Sequence, residues 1–219
     1  IIEFLKQHGK IVKIERKAHE YPFCYRCETP LMYRAIPSWF VNIQKIKQKM
    51  LKLNEKINWY PESLKNGRFK NNIETAPDWT ISRNRYWASA MPVWQCDECG
   101  KLKVIGSIDE LKQNAINLSG DIDLHKDYLD AVKLKCECKK EMTRIPEVLD
   151  CWFESGSMPF AQFHYPFENK KYFEENFPAE FVAEYIAQTR AWFYYCLVMS
   201  TILFDDIPYK NIVVTGTIL

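Results

Sequence analysis

Residues 181–215 read FVAEYIAQTRAWFYYCLVMSTILFDDIPYKNIVVT, and this stretch decides the fold class. It opens with a short apolar run, Phe181–Tyr185, which is interpreted as a buried strand that ends in a polar turn. Ala191–Phe204 follows and is apolar nearly all round, a pattern typical of a buried helix. Ile212–Thr215 has the pattern of a second buried strand. Because strand, helix and strand in that order favour a βαβ unit, the stretch predicts an α/β fold with a parallel sheet.

The composition is that of an ordinary globular protein: of 219 residues, 47% are hydrophobic, 15% aromatic and 26% charged. These values exclude disordered, collagen-like and low-complexity classes. The formal net charge of +2 gives no overall attraction to nucleic acid, although a local basic face is compatible with it. No apolar run approaches the roughly 20 residues of a bilayer span, and no leader-like segment opens the chain. We therefore expect a cytoplasmic location and no membrane partner.

Four of the eight cysteines have the spacing of a zinc site. Cys96 and Cys99 form a C-x2-C pair, and Cys136 and Cys138 form a C-x-C pair after 36 intervening residues. Gly100, directly after the first pair, allows the tight bend that such a turn needs. Four thiolates would fill a tetrahedral zinc site and leave no position for chemistry, so a structural zinc is predicted. The alternative is two unrelated cysteine pairs.

The other cysteines do not complete a second site. Cys24 and Cys27 form another C-x2-C pair, which resembles half of a zinc knuckle and has no matching pair within the chain. Cys151 and Cys196 lie in apolar stretches and are interpreted as small core residues. The first pair is therefore either vestigial or completed by ligands outside this sequence.

The start and the end of the sequence have the character of interior segments. The chain opens on Ile1 without an initiator methionine and closes on an apolar strand, so we expect a fragment of a longer protein. A short helix over the first residues is expected to stop at Gly9 and to be followed by a strand, Lys10–Glu15. Val148–Ser155 is interpreted as a further short buried strand.

A lysine-rich segment lies between these elements. Phe40–Asn54 has apolar residues at helical spacing with lysines interleaved, which predicts an amphipathic helix. The lysines are interpreted as a solvated face, with contact to a polyanion as the alternative. Ser107-Ile108-Asp109-Glu110 has the pattern of a capping box and predicts a helix inside the cysteine-rich region.

Five motifs are long enough to compare with known families. They are ISRNRYW (81–87), LDCWFESGSMP (149–159), YPFEN (165–169), AEYIAQTRAWF (183–193) and YKNIVV (209–214). In this order they resemble the isoleucyl-tRNA synthetases, a family of class I aminoacyl-tRNA synthetases, and the resemblance covers essentially the whole chain. It implies ATP-dependent activation of isoleucine to the adenylate and transfer to tRNA(Ile), with Mg accompanying ATP. A monomer is expected.

The resemblance also implies the organisation of the chain, because that family has a Rossmann-like catalytic fold split by a long editing insertion. Residues 1–42 would return from that insertion with half a zinc knuckle, and 43–95 would connect to the catalytic core. Residues 96–141 would form a zinc-ribbon insertion, and 142–219 the second half of the catalytic nucleotide-binding fold. The HIGH and KMSKS motifs, which handle phosphate, lie outside the sequence. No residue here is therefore expected to be catalytic, and the fragment alone is expected to be inactive.

The motifs assign four substrate-binding residues by position. Trp152 and Trp192 would form the walls of an apolar slot for the isoleucine side chain. Gln188 would bind near the amino-acid head group, and Glu184 would accept a hydrogen bond from the adenylate. The alternatives are core packing for the tryptophans and a helix-face pair for Glu184 and Gln188, which are four residues apart.

The sequence departs from the family pattern at four places, where it has Tyr185, Ala187, Ala88 and Ala191. The family usually has glycine at the first and the last two of these positions and aspartate at the second. Tyr185 adds a side chain where bare backbone is expected to approach the ligand.

The sequence allows two roles for three nearby residues, and it allows alternative families. Arg83, Arg85 and Trp87 are equally compatible with support of the pocket and with ligand contact. The alternatives to the isoleucine family are a valine or leucine synthetase fragment and a non-catalytic zinc-ribbon module that binds RNA.

Overall fold

The computed structural model describes residues 1–118, 120 and 122–217. The chain divides into two compact units, Ile1–Pro37 and Ser38–Leu219, and each is described by itself. Among the described residues, none of the helices combines the length and the apolar character that a membrane crossing needs. The predicted division into four segments stays a prediction.

The described residues form short helices and strands, with a π-helical segment at Lys65–Phe69 and a 3-10 segment at Ile186–Arg190. The helices are α1 (Ile2–Gln7), α2 (Ile43–Glu55), α3 (Lys70–Thr75), α4 (Ile108–Asn114), α5 (Lys126–Ala131), α6 (Cys151–Gly156), α7 (Met158–Ala161), α8 (Lys170–Asn176) and α9 (Trp192–Leu203). The strands are β1 (Phe40–Val41), β2 (Asn58–Tyr60), β3 (Trp79–Thr80), β4 (Ser82–Arg83), β5 (Val93–Cys96), β6 (Leu102–Val104), β7 (Leu134–Lys135), β8 (Glu141–Arg144), β9 (Val148–Leu149), β10 (Ala179–Tyr185) and β11 (Tyr209–Thr215).

The first unit contains α1 and a hairpin-like turn. Gly9 has φ +61° directly after the helix, as its predicted role as a stop requires. The predicted strand Lys10–Glu15 is wrong, since these residues pair with no other strand in the described part of the chain. A strand needs such a partner to form. Further along, a bridge between Phe23 and Pro30 closes the turn that carries Cys24 and Cys27.

The second unit is built on the predicted parallel sheet. Its strand order is β10-β11-β2, and both pairings are parallel, which confirms the α/β prediction. Helix α9 supplies much of the core, with Phe193 and Leu197 fully buried. Trp59 of β2 packs edge-on against Phe193, with 5.9 Å between ring centroids. The apolar run Ala191–Phe204 is therefore a buried helix, as predicted.

Two strand predictions need correction. Val148–Ser155 is a strand only over Val148–Leu149, because Asp150 caps a helix there, with its Oδ1 accepting from the backbone N–H of Trp152 at 2.9 Å. Phe181–Tyr185 belongs to a strand, but not to a buried one. Phe181 is 64% exposed, since β10 pairs on one side only within the described residues.

The predicted lysine-rich helix is present with a later start. Helix α2 begins at Ile43 because Asn42 caps it, accepting from the backbone N–H of Lys45 at 3.1 Å. Phe40–Val41 pairs instead with β3 in an antiparallel sheet of two strands. The buried face of α2 joins the core that α9 and the parallel sheet share.

The cysteine-rich region forms an antiparallel sheet in the order β6-β5-β8-β7. It has its own core, in which Trp94, Leu134 and Met142 are almost completely buried. Ser107 caps α4 by accepting from the backbone N–H of Glu110 at 3.1 Å, and the Glu110 carboxylate accepts from Gly106 N–H at 2.8 Å. These bonds confirm the predicted helix start.

Candidate functional sites

Two tight turns bring the four predicted zinc ligands together. In one turn, the backbone N–H of Gly100 donates to the carbonyl of Cys96 at 2.9 Å, with Gly100 at φ +69°. In the other, the N–H of Lys139 donates to the carbonyl of Cys136 at 2.9 Å, and Lys139 adopts φ +68°. The adjacent strands β5 and β8 are hydrogen-bonded to each other, which holds the two turns side by side.

The sulfur atoms have the spacing of a tetrahedral metal site. All four Sγ atoms lie within 4.8 Å of one another, and the pairs Cys96–Cys138 and Cys99–Cys136 are 3.6 Å apart. With Zn–S bonds of about 2.3 Å, sulfur atoms at the corners of a tetrahedron are about 3.8 Å apart. Cys96 and Cys136 are buried, whereas Cys99 and Cys138 face solvent. The residues therefore fit a four-coordinate zinc.

Backbone donors favour the thiolate at Cys96, whereas burial and the neighbouring cysteines outweigh them at Cys99 and Cys138 and raise the pKa of those thiols. The N–H of Cys99 donates to the Cys96 sulfur and outweighs burial, so that the pKa of the Cys96 thiol is lowered to about 7. A thiolate is the form that binds metal.

The remaining cysteines are placed differently. Within the described residues, no group of three or more potential ligands includes Cys24 or Cys27. Hydrogen bonds from Thr29 lower the pKa of the Cys27 thiol. Cys196 is buried, as predicted, whereas the prediction for Cys151 is wrong, because this residue is exposed in the first turn of α6.

Trp152 and Trp192 lie on α6 and α9, the two helices that pack against each other. The Trp152 ring stacks on Tyr195 of α9, with 5.4 Å between centroids and 15° between planes. Trp192 Nε1 donates to the carbonyl of Ser155 in α6 at 3.0 Å. Both tryptophans are half-buried, so each keeps an exposed part that could touch a ligand. A cavity of about 130 Å³ touches Trp192, and Trp152 does not line it.

A glycine allows the two helices to come this close. A Cβ on Gly156 would lie 3.1 Å from Tyr195 Cβ and 3.2 Å from the backbone carbonyl carbon and oxygen of Tyr195. These separations are well inside the roughly 3.5–4.0 Å of a normal carbon contact. The close approach of α6 and α9 therefore depends on the missing side chain.

Glu184 and Gln188 lie just before α9. Glu184 is exposed near the carboxyl end of β10, where α/β sheets bind their ligands. Gln188, in the 3-10 segment, caps α9 by accepting from Trp192 N–H at 3.0 Å, which leaves its amide NH2 available. The alternative of a helix-face pair is wrong, because Glu184 is in a strand and its carboxylate accepts from Tyr185 N–H at 3.2 Å.

Asp150 is a site-forming residue that the sequence reasoning missed. It is 4% exposed, forms an ion pair with Arg83 and caps the helix that carries Trp152. Arg83 also donates to the Thr80 carbonyl at 2.7 Å, so its role here is support. An acidic residue directly before a helical motif is the signal that could have identified this cap.

A second feature that the sequence reasoning missed is an open cleft of about 1020 Å³. Trp87, which is 80% exposed, lines it together with His125, Cys151 and Glu154. Arg85 is exposed nearby in the sequence. The aromatic density of this segment was the available signal, and such loops more often bind ligands than fill cores.

A parallel α/β sheet with exposed polar residues at its carboxyl edge, together with an inserted four-cysteine ribbon, is an α/β domain of the kind that binds ligands at that edge. The family model described as tRNA synthetases class I (I, L, M and V) matches residues 6–219, and the chain belongs to this family. It is 54% identical over 220 residues to the isoleucine–tRNA ligase of Clostridium novyi (strain NT), covering 100% of this chain and 21% of that protein.

Other comparisons agree on the extent of the match. The isoleucine–tRNA ligase of Treponema denticola is 51% identical over 222 residues, with 100% of this chain and 20% of that protein covered. The chain thus spans about a fifth of the length of these relatives. A crystal structure of the ternary complex of Agrobacterium radiobacter K84 agnB2 LeuRS-tRNA-LeuAMS covers 64% of this chain and 19% of that chain, at 21% identity and a TM-score of 0.45. This likeness is too loose to add to the assignment.

Proposed function

We propose that the chain is part of an isoleucine–tRNA ligase and contributes the amino-acid side of its activation pocket. The observation that supports this proposal is the α6–α9 contact, in which Trp152 stacks on Tyr195 of α9 and Trp192 bonds to Ser155 of α6, in a chain 54% identical to such a ligase. The substrates of the whole protein would be isoleucine, ATP with Mg, and tRNA(Ile). A monomer in the cytoplasm is part of the same proposal.

Each residue in the pocket has a role that its chemistry supports. Trp152 and Trp192 offer apolar faces for a branched aliphatic side chain. The free amide NH2 of Gln188 can donate to the amino-acid carboxylate, and the exposed Glu184 carboxylate can accept from a ribose hydroxyl or an amine of the adenylate. The proposal assigns none of them a covalent or proton-transfer step, so this part would act by positioning.

We also propose that Cys96, Cys99, Cys136 and Cys138 hold a structural zinc in the ribbon. The metal would supply a cross-link between the two turns and no reaction chemistry, since all four ligand positions are taken. The segments 1–42, 43–95, 96–141 and 142–219 stay our proposed divisions.

The test uses a chimeric protein, in which this chain replaces the matching segment of the Clostridium novyi relative. Isoleucine-dependent ATP–pyrophosphate exchange should occur in it and be absent from the isolated chain. Trp192→Ala should raise the KM for isoleucine and leave that for ATP nearly unchanged. A contact of some tens of Å² at about 25 cal/mol per Å² corresponds to about 1–2 kcal/mol, or roughly 5- to 30-fold.

Two further variants separate the roles. Trp192→Phe keeps most of the apolar face and should retain most of the affinity, and Gln188→Ala should weaken isoleucine and valine about equally. A Trp192→Ala protein in which only the KM for ATP rises would place this residue on the adenosine side and contradict the proposal.

A further inference from the structure

Helix α2 carries a concentrated positive charge. Helix α2 and the residue that ends it, 43–56, contain five lysines against one glutamate, a net charge of +4, whereas the whole chain has +2. The rest of the chain is therefore net negative. Most of this charge lies on one side: at about 100° per residue, Lys45, Lys49, Lys52 and Lys56 fall within an arc of about 60°, and Lys47 alone lies on the far side. We call these four residues the lysine stripe.

The lysine stripe lies about 120° around α2 from the centre of its buried face. Ile43, Met50 and Leu53 are in the core, while Lys45 and Lys52 are exposed. The stripe covers eleven residue steps, or about 16 Å of helix at 1.5 Å per residue. A line of ammonium groups of this length can contact several phosphates of one polyanion.

The charges favour the helix only at its end, where Lys52 lies in the last turn beside the negative end of the helix dipole. The first turn of α2 contains no acidic residue, and Lys45 lies there beside the positive end of the helix dipole. Lysines spaced by three and four residues also repel one another. Helix α8 shows the usual pattern of a solvated face, because Lys170 and Lys171 are each followed four residues later by a glutamate at 3.8 Å.

The stripe is available to a partner. Among the described residues, neither Lys45 nor Lys52 has a carboxylate within 4.0 Å. Lys49 and Lys56 pair with Asp205 and Asp206, at 2.6 Å and 3.9 Å. Exposed pairs of this kind contribute little, so phosphates can displace them.

We propose that the lysine stripe of α2 binds the phosphodiester backbone of RNA. The choice of RNA rests on the proposed function, in which the parent protein acts on a tRNA. An anionic membrane fits less well, because a membrane-surface helix needs an apolar face to insert. The apolar face of α2 is buried in the core.

The test is equilibrium binding of a fluorescent tRNA(Ile) transcript to the 219-residue chain, between about 50 and 200 mM salt. At about 0.1 M salt each phosphate contact contributes up to about 0.9 log units to the association constant. The double variant Lys45→Gln/Lys52→Gln should therefore weaken binding about tenfold or more. The slope of log K against log salt should fall by about 1.8. Lys45→Arg/Lys52→Arg should retain the affinity, and Lys170→Gln/Lys171→Gln is the matched control.

Three results would overturn the proposal: unchanged affinity in the Lys45→Gln/Lys52→Gln chain, an equal loss in the α8 control, or binding to phosphatidylserine vesicles but not to RNA. An unrelated RNA duplex should bind with a similar slope of log K against log salt, since backbone contacts carry no sequence information. The assay contains neither isoleucine nor ATP. A failure of the exchange reaction is therefore distinguishable from a failure of RNA binding.

Discussion

Replacing Gly156 by alanine tests whether the α6–α9 contact controls the candidate pocket. The added Cβ would lie 3.1–3.2 Å from atoms of Tyr195, two of which belong to the backbone and cannot rotate away. The helices must separate by several tenths of an ångström. Overpacking of this kind costs about 1–3 kcal/mol, and alanine returns at most about 1 kcal/mol of helix propensity. We expect a net loss of about 1–2 kcal/mol in the free energy of unfolding.

The matched control is Gly67→Ala, in the π-helical segment Lys65–Phe69. A Cβ there meets nothing within 4 Å, and its φ lies outside the left-handed region, so this substitution should be neutral or slightly stabilising. For a domain of this size, 1 kcal/mol corresponds to about 2–4 °C in Tm. Gly156→Ala should therefore lower Tm by about 2–8 °C in thermal unfolding followed by circular dichroism.

Function provides the second readout. In the chimeric protein, Gly156→Ala should raise the KM for isoleucine. The reason is that α6 carries Trp152 and α9 carries Trp192, the proposed walls of the isoleucine pocket. Zinc content should not change, since the ribbon has a separate core. Equal Tm shifts for Gly156→Ala and Gly67→Ala, or an unchanged KM in a destabilised Gly156→Ala protein, would refute the reasoning.

Two further predictions concern the ribbon. Metal analysis after gel filtration should find close to one zinc per chain. Cys136→Ser should abolish zinc binding, because the two thiolates of the Cys24/Cys27 pair cannot fill a tetrahedral site. Zinc retained in that variant would contradict the proposed ligand set. Burial raises the pKa of Asp130, but bonds from Lys126 and Arg144 outweigh it and lower this pKa below its usual 3.8. Its stabilisation is therefore present above pH 3.8 and lost as the pH falls through the lowered value. Asp130→Asn should lower the free energy of unfolding in urea at neutral pH by about 1.5–3 kcal/mol. It should also weaken the fall in this free energy as the pH drops below 3.8. If that fall is unchanged in the variant, other carboxylates cause it.

Local patterns in the sequence predicted the parts of the fold that depend on near neighbours. The four zinc ligands are set by two short turns, and the start of α4 by Ser107 and Glu110, only three residues apart. The apolar run from Ala191 to Phe204 predicted α9 because its composition alone requires burial. Each turn and the helix start depend on contacts within a few residues, although the two turns themselves meet across about 40 residues of sequence.

The errors arose where distant residues decide. Asp150 ends a strand and starts α6, and its partner Arg83 lies in β4. The exposure of Phe181 depends on which element packs on its face of the sheet, and an apolar run by itself does not reveal this. The closeness of α6 and α9 rests on Gly156 meeting Tyr195, a contact that neither helix specifies alone.

The two cores of the second unit give a physical reason for the zinc proposed in the ribbon. The core around α9 joins residues from α2, α3 and the parallel sheet, so it draws on distant parts of the chain. Among the described residues, the ribbon core has ten that are buried, and two of these, Cys96 and Cys136, are candidate zinc ligands. A core this small gives little stability, and small domains are usually held by metals or disulfides. Zinc on the four cysteines would replace the apolar burial that the ribbon lacks, which makes the metal a condition for folding this insertion rather than an accessory of the pocket.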